Sequence, residues 1–193
     1  MIVYPPETER IQHLRAHALD AIVPSIKSLE GSLLWFRGWH QASGSSSVQQ
    51  RRTFARVFQI EYSTPVIDDR ELIVGKPCHR QLSKTEEQEL LLLKEEYEAS
   101  GFQVGGQGSH MAVDYELLLK SGVSGVREHV VQLLRHCGSE ADSAEFYENC
   151  IKELDAVIAY SQRYSRYASE LAENCSDSQR CRELEQIAEN CAK

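Results

Sequence analysis

The stretch from Glu145 to Cys191 constrains this chain more than any other. It reads EFYENCIKELDAVIAYSQRYSRYASELAENC and then SDSQRCRELEQIAENC. In the first part Phe146, Cys150, Leu154, Val157, Ser161, Tyr164, Ala168 and Leu171 recur at alternating steps of three and four, which places them on one stripe of a long helix. Asp142 with Glu145 can form a capping box at its start. Ser176 with Gln179 can start a second helix, whose stripe is Cys181, Leu184, Ile187 or Ala188, and Cys191. Helices joined by so short a polar turn fold back on each other. A helical hairpin of this kind is a scaffold and by itself names no function.

The chain has 193 residues, enough for one domain with a core of its own. A formal charge of −8 without a long basic run argues against a nucleic-acid partner, because phosphate binding relies on clustered Lys and Arg. There is no apolar run of membrane-spanning length, and MIVYPPETER has neither the basic nor the apolar region of a signal peptide, so the expected location is the cytoplasm. The six cysteines are then expected to be reduced. Cys78-His79 and His136-Cys137 can be drawn as a four-ligand metal site, but adjacent ligands on a helix diverge and zinc sites prefer wider local spacing, so no metal is expected. Cys150, Cys181 and Cys191 fall on helix stripes as small buried hydrophobes.

In chain order, a first helix carries Ile11, Leu14, Ala18 and Ile22 on its face and is stopped by Pro24. His13 and His17 lie one turn apart on it, able to share a ligand but more simply a solvated face. Ser28–His40 reads as a short docking helix with Trp35 and Trp39 as core or interface anchors. A Ser/Gly-rich loop at about 41–47 follows and is expected to be flexible. The helix Gln49–Tyr62 has Phe54, Val57 and Phe58 inside and Arg51, Arg52 and Arg56 outside, the arginines open to an anion or to ion pairs within the chain. Pro65 ends it. VIDDRELIVGK reads as a turn and a short strand, Glu71–Val74, with Asp68 and Asp69 either a metal or acid pair or, more simply, turn formers. Ser83 with Glu86 starts a helix whose Leu90–Leu93 run covers much of its circumference, which implies burial on more than one side, and Gly101 ends it. The Gly-rich loop 101–109 has no phosphate-loop signature, and it delivers His110. Asp114 then caps a helical turn closed by Gly122, and Ser124 starts a helix with Val126, Val130, Leu133 and Leu134 inside and Gly138 at its end.

Taken in order, these segments resemble the glycyl radical enzymes of the pyruvate formate-lyase and glycerol dehydratase type. DDRELIVGK is similar to that family's Asp-Asp-Glu-Leu-Ile-Val-Gly segment, and RRTFARVFQIEYSTPVIDD to the run leading into it. GSHMAVDYELLLKSGVSGVREHV resembles the family's Gly-His-x-x-x-Asp-Tyr segment with its following Lys-x-Gly-x-x-Gly run. EFYENCIKELDAVIAYSQRYSRYASELA and LEQIAENC resemble the helical hairpin beyond it. The likeness extends from about Glu9 to Cys191 and implies a mainly α fold, a single helical region over 1–193 with at most a few short strands. That region would be the N-terminal portion of a larger α/β-barrel enzyme. Its other parts would be the barrel, a thiyl-forming cysteine and a glycine that stores the radical. No cysteine here stands in a Gly-Cys-x-Glu setting and no glycine in an Arg-Val-x-Gly-Tyr setting, so this chain should itself hold no catalytic residue and no cofactor and be inactive alone. The span between Gly75 and His110 is shorter than in many members.

By the same resemblance, His110 would reach the substrate pocket and hydrogen-bond a substrate hydroxyl, although Ser109 replaces the usual glycine before it; the plainer role is a structural histidine in a glycine loop. The implied reaction is a radical lyase or dehydratase step on a small polar metabolite in anaerobic metabolism. The implied partners are the barrel of the same enzyme, a radical S-adenosylmethionine activating enzyme and a second copy of the protein. A rival reading is a free-standing helical interaction module presenting Trp35, Trp39 and Leu90–Leu93 to a partner.

Overall fold

The computed structural model describes residues 8–27, 30–45, 47–78, 80–102, 113–138 and 141–193. It is built of helices: α1 Glu9–Lys27, α2 Glu30–Gln41, α3 Val48–Tyr62, α4 Lys84–Ala99, α5 Tyr115–His136, α6 Ala141–Glu173 and α7 Ser178–Ala192. They group into two compact units. One comprises Met1–Gly31, Ser63–Ser83 and Gln162–Lys193; the other, Ser32–Tyr62 and Lys84–Ser161.

In the first unit the end of α6 and α7 form the expected hairpin. Ala168, Leu184, Ile187 and Ala188 are its buried centre, with Ile67, Val74, Leu171, Ala172, Cys175 and Cys191 against them. The cap of α7 is Asp177, whose carboxylate accepts from the Arg180 N–H at 2.7 Å, rather than the expected Ser176. Helix α1 runs past Pro24 to Lys27: a proline removes one intrahelical hydrogen bond, and here that does not end the helix.

The expected strand at Glu71–Val74 does not form, and no strand occurs among the described residues. Among residues 63–78, which run without a neighbouring strand, side chains take up some of the backbone groups. The buried Glu30 carboxylate accepts from the Thr64 N–H and hydroxyl at 3.3 and 2.9 Å and from Arg80 Nε at 2.6 Å. The Tyr164 hydroxyl accepts from the Val66 N–H at 3.1 Å and donates to the Lys76 carbonyl at 3.4 Å. These bonds stand in for part of what a strand ladder would supply.

The second unit centres on aromatic rings. Trp39 stacks on Trp35 at 5.4 Å and meets Tyr97 edge-on at 5.0 Å and Phe102 at 5.5 Å. Leu33, Leu34 and Phe36 are buried with it. Arg51, expected to face out, instead sets its guanidinium 4.2 Å over the Trp39 ring and donates from Nε to the Trp39 carbonyl at 2.8 Å. The buried residues of α3 are Thr53 and Ala55, while Phe54 is exposed and forms a surface stack with Phe58 and Tyr62. Gly38 lets α2 approach α3 closely: a Cβ there would lie 2.8 Å from both Ala55 Cα and Phe58 Cβ.

Helix α4 is covered on one side only. Leu90 and Tyr97 are buried, whereas Leu91 and Leu92 are 61% and 67% exposed, against the expectation from the leucine run. Arg37 grips Glu89 through two bonds of 2.7 and 2.6 Å, and His40 meets Glu96 at 2.6 Å. Helix α5 is capped by Asp114, and Gly122 at φ 64° breaks it where the sequence placed a boundary. Its expected inner side is only half-buried, with Leu133 38% exposed and none of the helix's residues fully buried. Along α6 the inner side in this unit is Asn149 and Ala156, so Phe146 and Val157, placed on the buried stripe by spacing, lie outside.

Candidate functional site

The segment DDRELIVGK folds as a turn in the first unit, with several charged groups around it. Asp68 and Glu71 bracket the turn reciprocally: the Asp68 N–H donates to Glu71 Oε2 at 2.8 Å and the Glu71 N–H to the Asp68 carbonyl at 3.2 Å. Arg70 between them takes φ 64°. Lys76 closes the turn by pairing with Asp68 and, at 3.1 Å, with Glu71. From α7, Arg180 donates to the Asp68 carbonyl at 3.0 Å and the Glu71 carbonyl at 2.6 Å. From α1, His17 Nδ1 lies 3.1 Å from Asp68 Oδ2, and Arg10 reaches Glu183 of α7 at 2.5 Å. Beside the turn is a cavity of about 680 Å³ lined by Arg10, Asp69, Arg70, Asp177 and Arg180, among others.

Burial pushes the Asp68 carboxyl up, but Lys76 and His17 outweigh it and hold the carboxyl below its usual value. Burial also draws Lys76 down, yet Asp68 and Glu71 prevail and its ammonium is held more firmly than usual. Arg10 lowers Glu183 in the same way. Groups fixed in their charged forms are poorly suited to proton transfer near neutral pH. The cluster is a clamp on the turn, and Asp68 and Asp69 serve as turn formers.

The clamp has a pH signature. Stability from Asp68 is present above the ordinary aspartate pKa of about 3.9 and is lost as pH falls through its lower folded value; that from Lys76 is present below about 10.4 and lost as pH rises through its higher folded value. Thermal midpoints of Lys76→Met should therefore differ from those of the unaltered chain most across the neutral range, with the gap closing toward both extremes. A gap constant with pH would rule the clamp out as a source of stability.

The other sequence candidates are dispersed. His110 lies outside the described residues, as does His79. His13 and His17 stack at 5.6 Å, and His17 is engaged by Asp68. His136 Nδ1 donates to the Gln132 carbonyl at 2.7 Å, and the Cys137 thiol to the Leu134 carbonyl at 3.0 Å. No group of three His, Cys, Asp or Glu able to hold a metal occurs among the described residues. Trp39 is buried and Trp35 half-buried, so the surface proposed for a partner reduces to Leu91 and Leu92. Sequence reasoning missed Arg10, Lys76 and Arg180; the Arg180/Glu183 spacing on α7 was the available signal for the last.

Comparison with known proteins agrees with this architecture. The family model described as pyruvate formate lyase-like matches residues 85–193. The (2S)-3-sulfopropanediol dehydratase of Klebsiella oxytoca is 32% identical over 99 residues, 49% of this chain and 12% of that protein. The isethionate sulfite-lyase of Nitratidesulfovibrio vulgaris is 35% identical over 100 residues, again 49% of this chain and 12% of that protein. Among solved structures, the B12-independent glycerol dehydratase of Clostridium butyricum superposes with a TM-score of 0.81 at 24% identity, over 99% of this chain and 31% of that one. A glycyl radical enzyme from Archaeoglobus fulgidus gives 0.68 over 91% of this chain and 30% of its own. The chain thus spans about an eighth of these curated relatives and under a third of these structures. Because the family pattern covers more than half of the sequence, and its matched helices are those of the fold described above, this chain belongs to the pyruvate formate lyase-like family.

Proposed function

We propose that the chain is the helical region of a glycyl radical enzyme that breaks a carbon–heteroatom bond in a small polar metabolite, as a lyase or dehydratase. The carrying observation is the family match over 85–193, supported by relatives whose names specify a dehydratase and a sulfite-lyase. In the intact enzyme the glycyl radical supplies the hydrogen-atom chemistry. The described residues here supply the scaffold: a clamped turn at Asp68–Lys76 and the hairpin of α6 and α7. The remaining partners are the barrel of the same enzyme, a radical S-adenosylmethionine activating enzyme and a second copy, in an anaerobic cytoplasm. No described helix is long and apolar enough to cross a membrane.

Within this reading His110 contacts the substrate. An imidazole can donate to or accept from a departing hydroxyl near neutral pH. Loss of a hydrogen bond to an uncharged partner is worth about 0.5–1.5 kcal/mol, and more if the imidazole is charged. At 1.36 kcal/mol per tenfold step, His110→Ala should lower turnover of the activated full-length enzyme by roughly a few-fold to a hundredfold. The assay would use glycerol, propanediol, sulfopropanediol and isethionate as candidate substrates. The melting temperature of the 193-residue chain should barely move. Normal turnover in the variant, or strong destabilisation of the chain, would return His110 to a structural role. Failure of the activated enzyme on all four substrates would reject the proposed reaction class.

A further inference from the structure

Cys175 and Cys181 stand at the two ends of the turn between α6 and α7, with residues 176–180 between them. The Cys175 thiol donates to the Asp177 carbonyl at 3.3 Å, and the Cys181 thiol to the Cys175 carbonyl at 3.1 Å. Both side chains thus fold over the same turn and meet there. Hydrogen bonding with the Cys175 thiol, joined by burial, pushes the Cys181 thiol above its usual value. Both residues are half-buried. Cys175 packs against the buried centre of the hairpin and also lines the cavity of about 680 Å³ beside the clamp, which gives a small reagent a way in. The loop between the two cysteines contains Arg180, which holds the Asp68 and Glu71 carbonyls. Neither the clamp nor the family reading makes use of the thiols.

A disulfide brings its sulfurs to about 2.05 Å, a short closure for two thiols that already meet across a turn. We propose that Cys175 and Cys181 form a thiol–disulfide exchange site, which closes reversibly on reaction with a low-molecular-weight disulfide such as oxidised glutathione. Cys175, which lines the cavity, attacks first as its thiolate. Its sulfur bonds to one glutathione sulfur, the glutathione S–S bond breaks, and one glutathione thiolate leaves. Cys181 then gives up its proton to solvent and attacks the Cys175 sulfur, and the second glutathione thiolate leaves. Each departing thiolate takes up a proton. Two protein thiols and one glutathione disulfide become one protein disulfide and two glutathione thiols, so the protein loses two electrons and glutathione gains them. The thiolate is the attacking form and Cys181 is held protonated, so closure waits on its deprotonation. Excess thiol runs the same steps backward. In a reducing compartment such a bond is transient rather than structural.

The test is to incubate the reduced 193-residue chain with excess oxidised glutathione, alkylate the remaining thiols and map the tryptic peptides by mass spectrometry. Trypsin cuts after Arg166, Arg180 and Arg182, so the expected cross-link joins peptide 167–180 to the dipeptide Cys181-Arg182, and a thiol reductant separates them. Cys181→Ser retains a hydroxyl that can donate to the Cys175 carbonyl, and circular dichroism checks that it is folded. This variant should stop at one glutathione on Cys175, and the adduct should persist at least tenfold longer than in the unaltered chain. The proposal fails if the joined peptides do not form. It fails equally if folded Cys181→Ser takes no glutathione on Cys175, or loses it as fast as the unaltered chain does.

Discussion

Replacing Trp39 with alanine is expected to cost about 3–5 kcal/mol, the range for emptying a buried aromatic site. Trp39 is 1% exposed and packs among the rings of Trp35, Tyr97 and Phe102, which are too rigid to refill the space. Its indole N–H has no acceptor, which offsets part of the loss and favours the lower half of that range. At about 2–4 °C per kcal/mol for a chain of this size, the melting point should fall by roughly 6–20 °C. The same change removes the ring beneath Arg51. A cation–π contact is worth about 0.5–2 kcal/mol, so Arg51→Met should cost less in the Trp39→Ala background than alone. Strict additivity of the two, or a shift in melting point below a few degrees, would show that the aromatic cluster does not hold this unit.

Gly38→Val is expected to destabilise by about 3 kcal/mol or more, at the upper end of overpacking effects. Helix propensity acts in the opposite direction, because glycine inside a helix is about 1 kcal/mol worse than alanine. The geometry decides between them. An added Cβ would lie 2.8 Å from the Ala55 Cα, a backbone atom that no side-chain rotation can move aside, and 2.8 Å from Phe58 Cβ. Gly38→Ala should already lose stability despite its better propensity, and valine should lose more. Chemical denaturation of the three proteins checks the order; an alanine variant more stable than the glycine parent would mean that α2 and α3 can separate freely.

These two sites also show what the sequence could and could not reveal. The hairpin was legible because polar turn and stripe agreed, although α7 is capped by Asp177 and not Ser176, and Leu184, Ile187 and Ala188 are buried as the spacing required. Local backbone signals also held: Asp114 caps, and Gly101 and Gly122 adopt positive φ at the ends that they were expected to mark. Periodicity failed where burial depended on neighbours. Phe146 and Val157 keep the step of the stripe but face out, because α3 meets α6 along Asn149 instead. Arg51 was placed outside on charge alone, yet a ring face and a carbonyl in reach make burying its stem favourable. The strand at Glu71–Val74 had strand-forming residues and no partner strand, and pairing is a property of two segments. Of the candidate sites, the clamp escaped because its members come from positions 10 to 183 and no local spacing joins them. His110 was carried by resemblance, not by its own surroundings.

The discontinuous make-up of the first unit affects the timing of folding. Its pieces are Met1–Gly31, Ser63–Ser83 and Gln162–Lys193, and its defining bonds join partners far apart in the chain, 109 and 112 residues from Arg180 to Glu71 and Asp68 and 173 from Arg10 to Glu183. Loops of that length close late and contribute a high contact order, which slows folding. During synthesis from the N-terminus, α1 and the DDRELIVGK turn emerge long before α7 exists to hold them. The second unit has all its residues by Ser161 and can consolidate first. A ribosome-bound nascent chain stopped short of α7 would carry that unit folded and the turn unclamped.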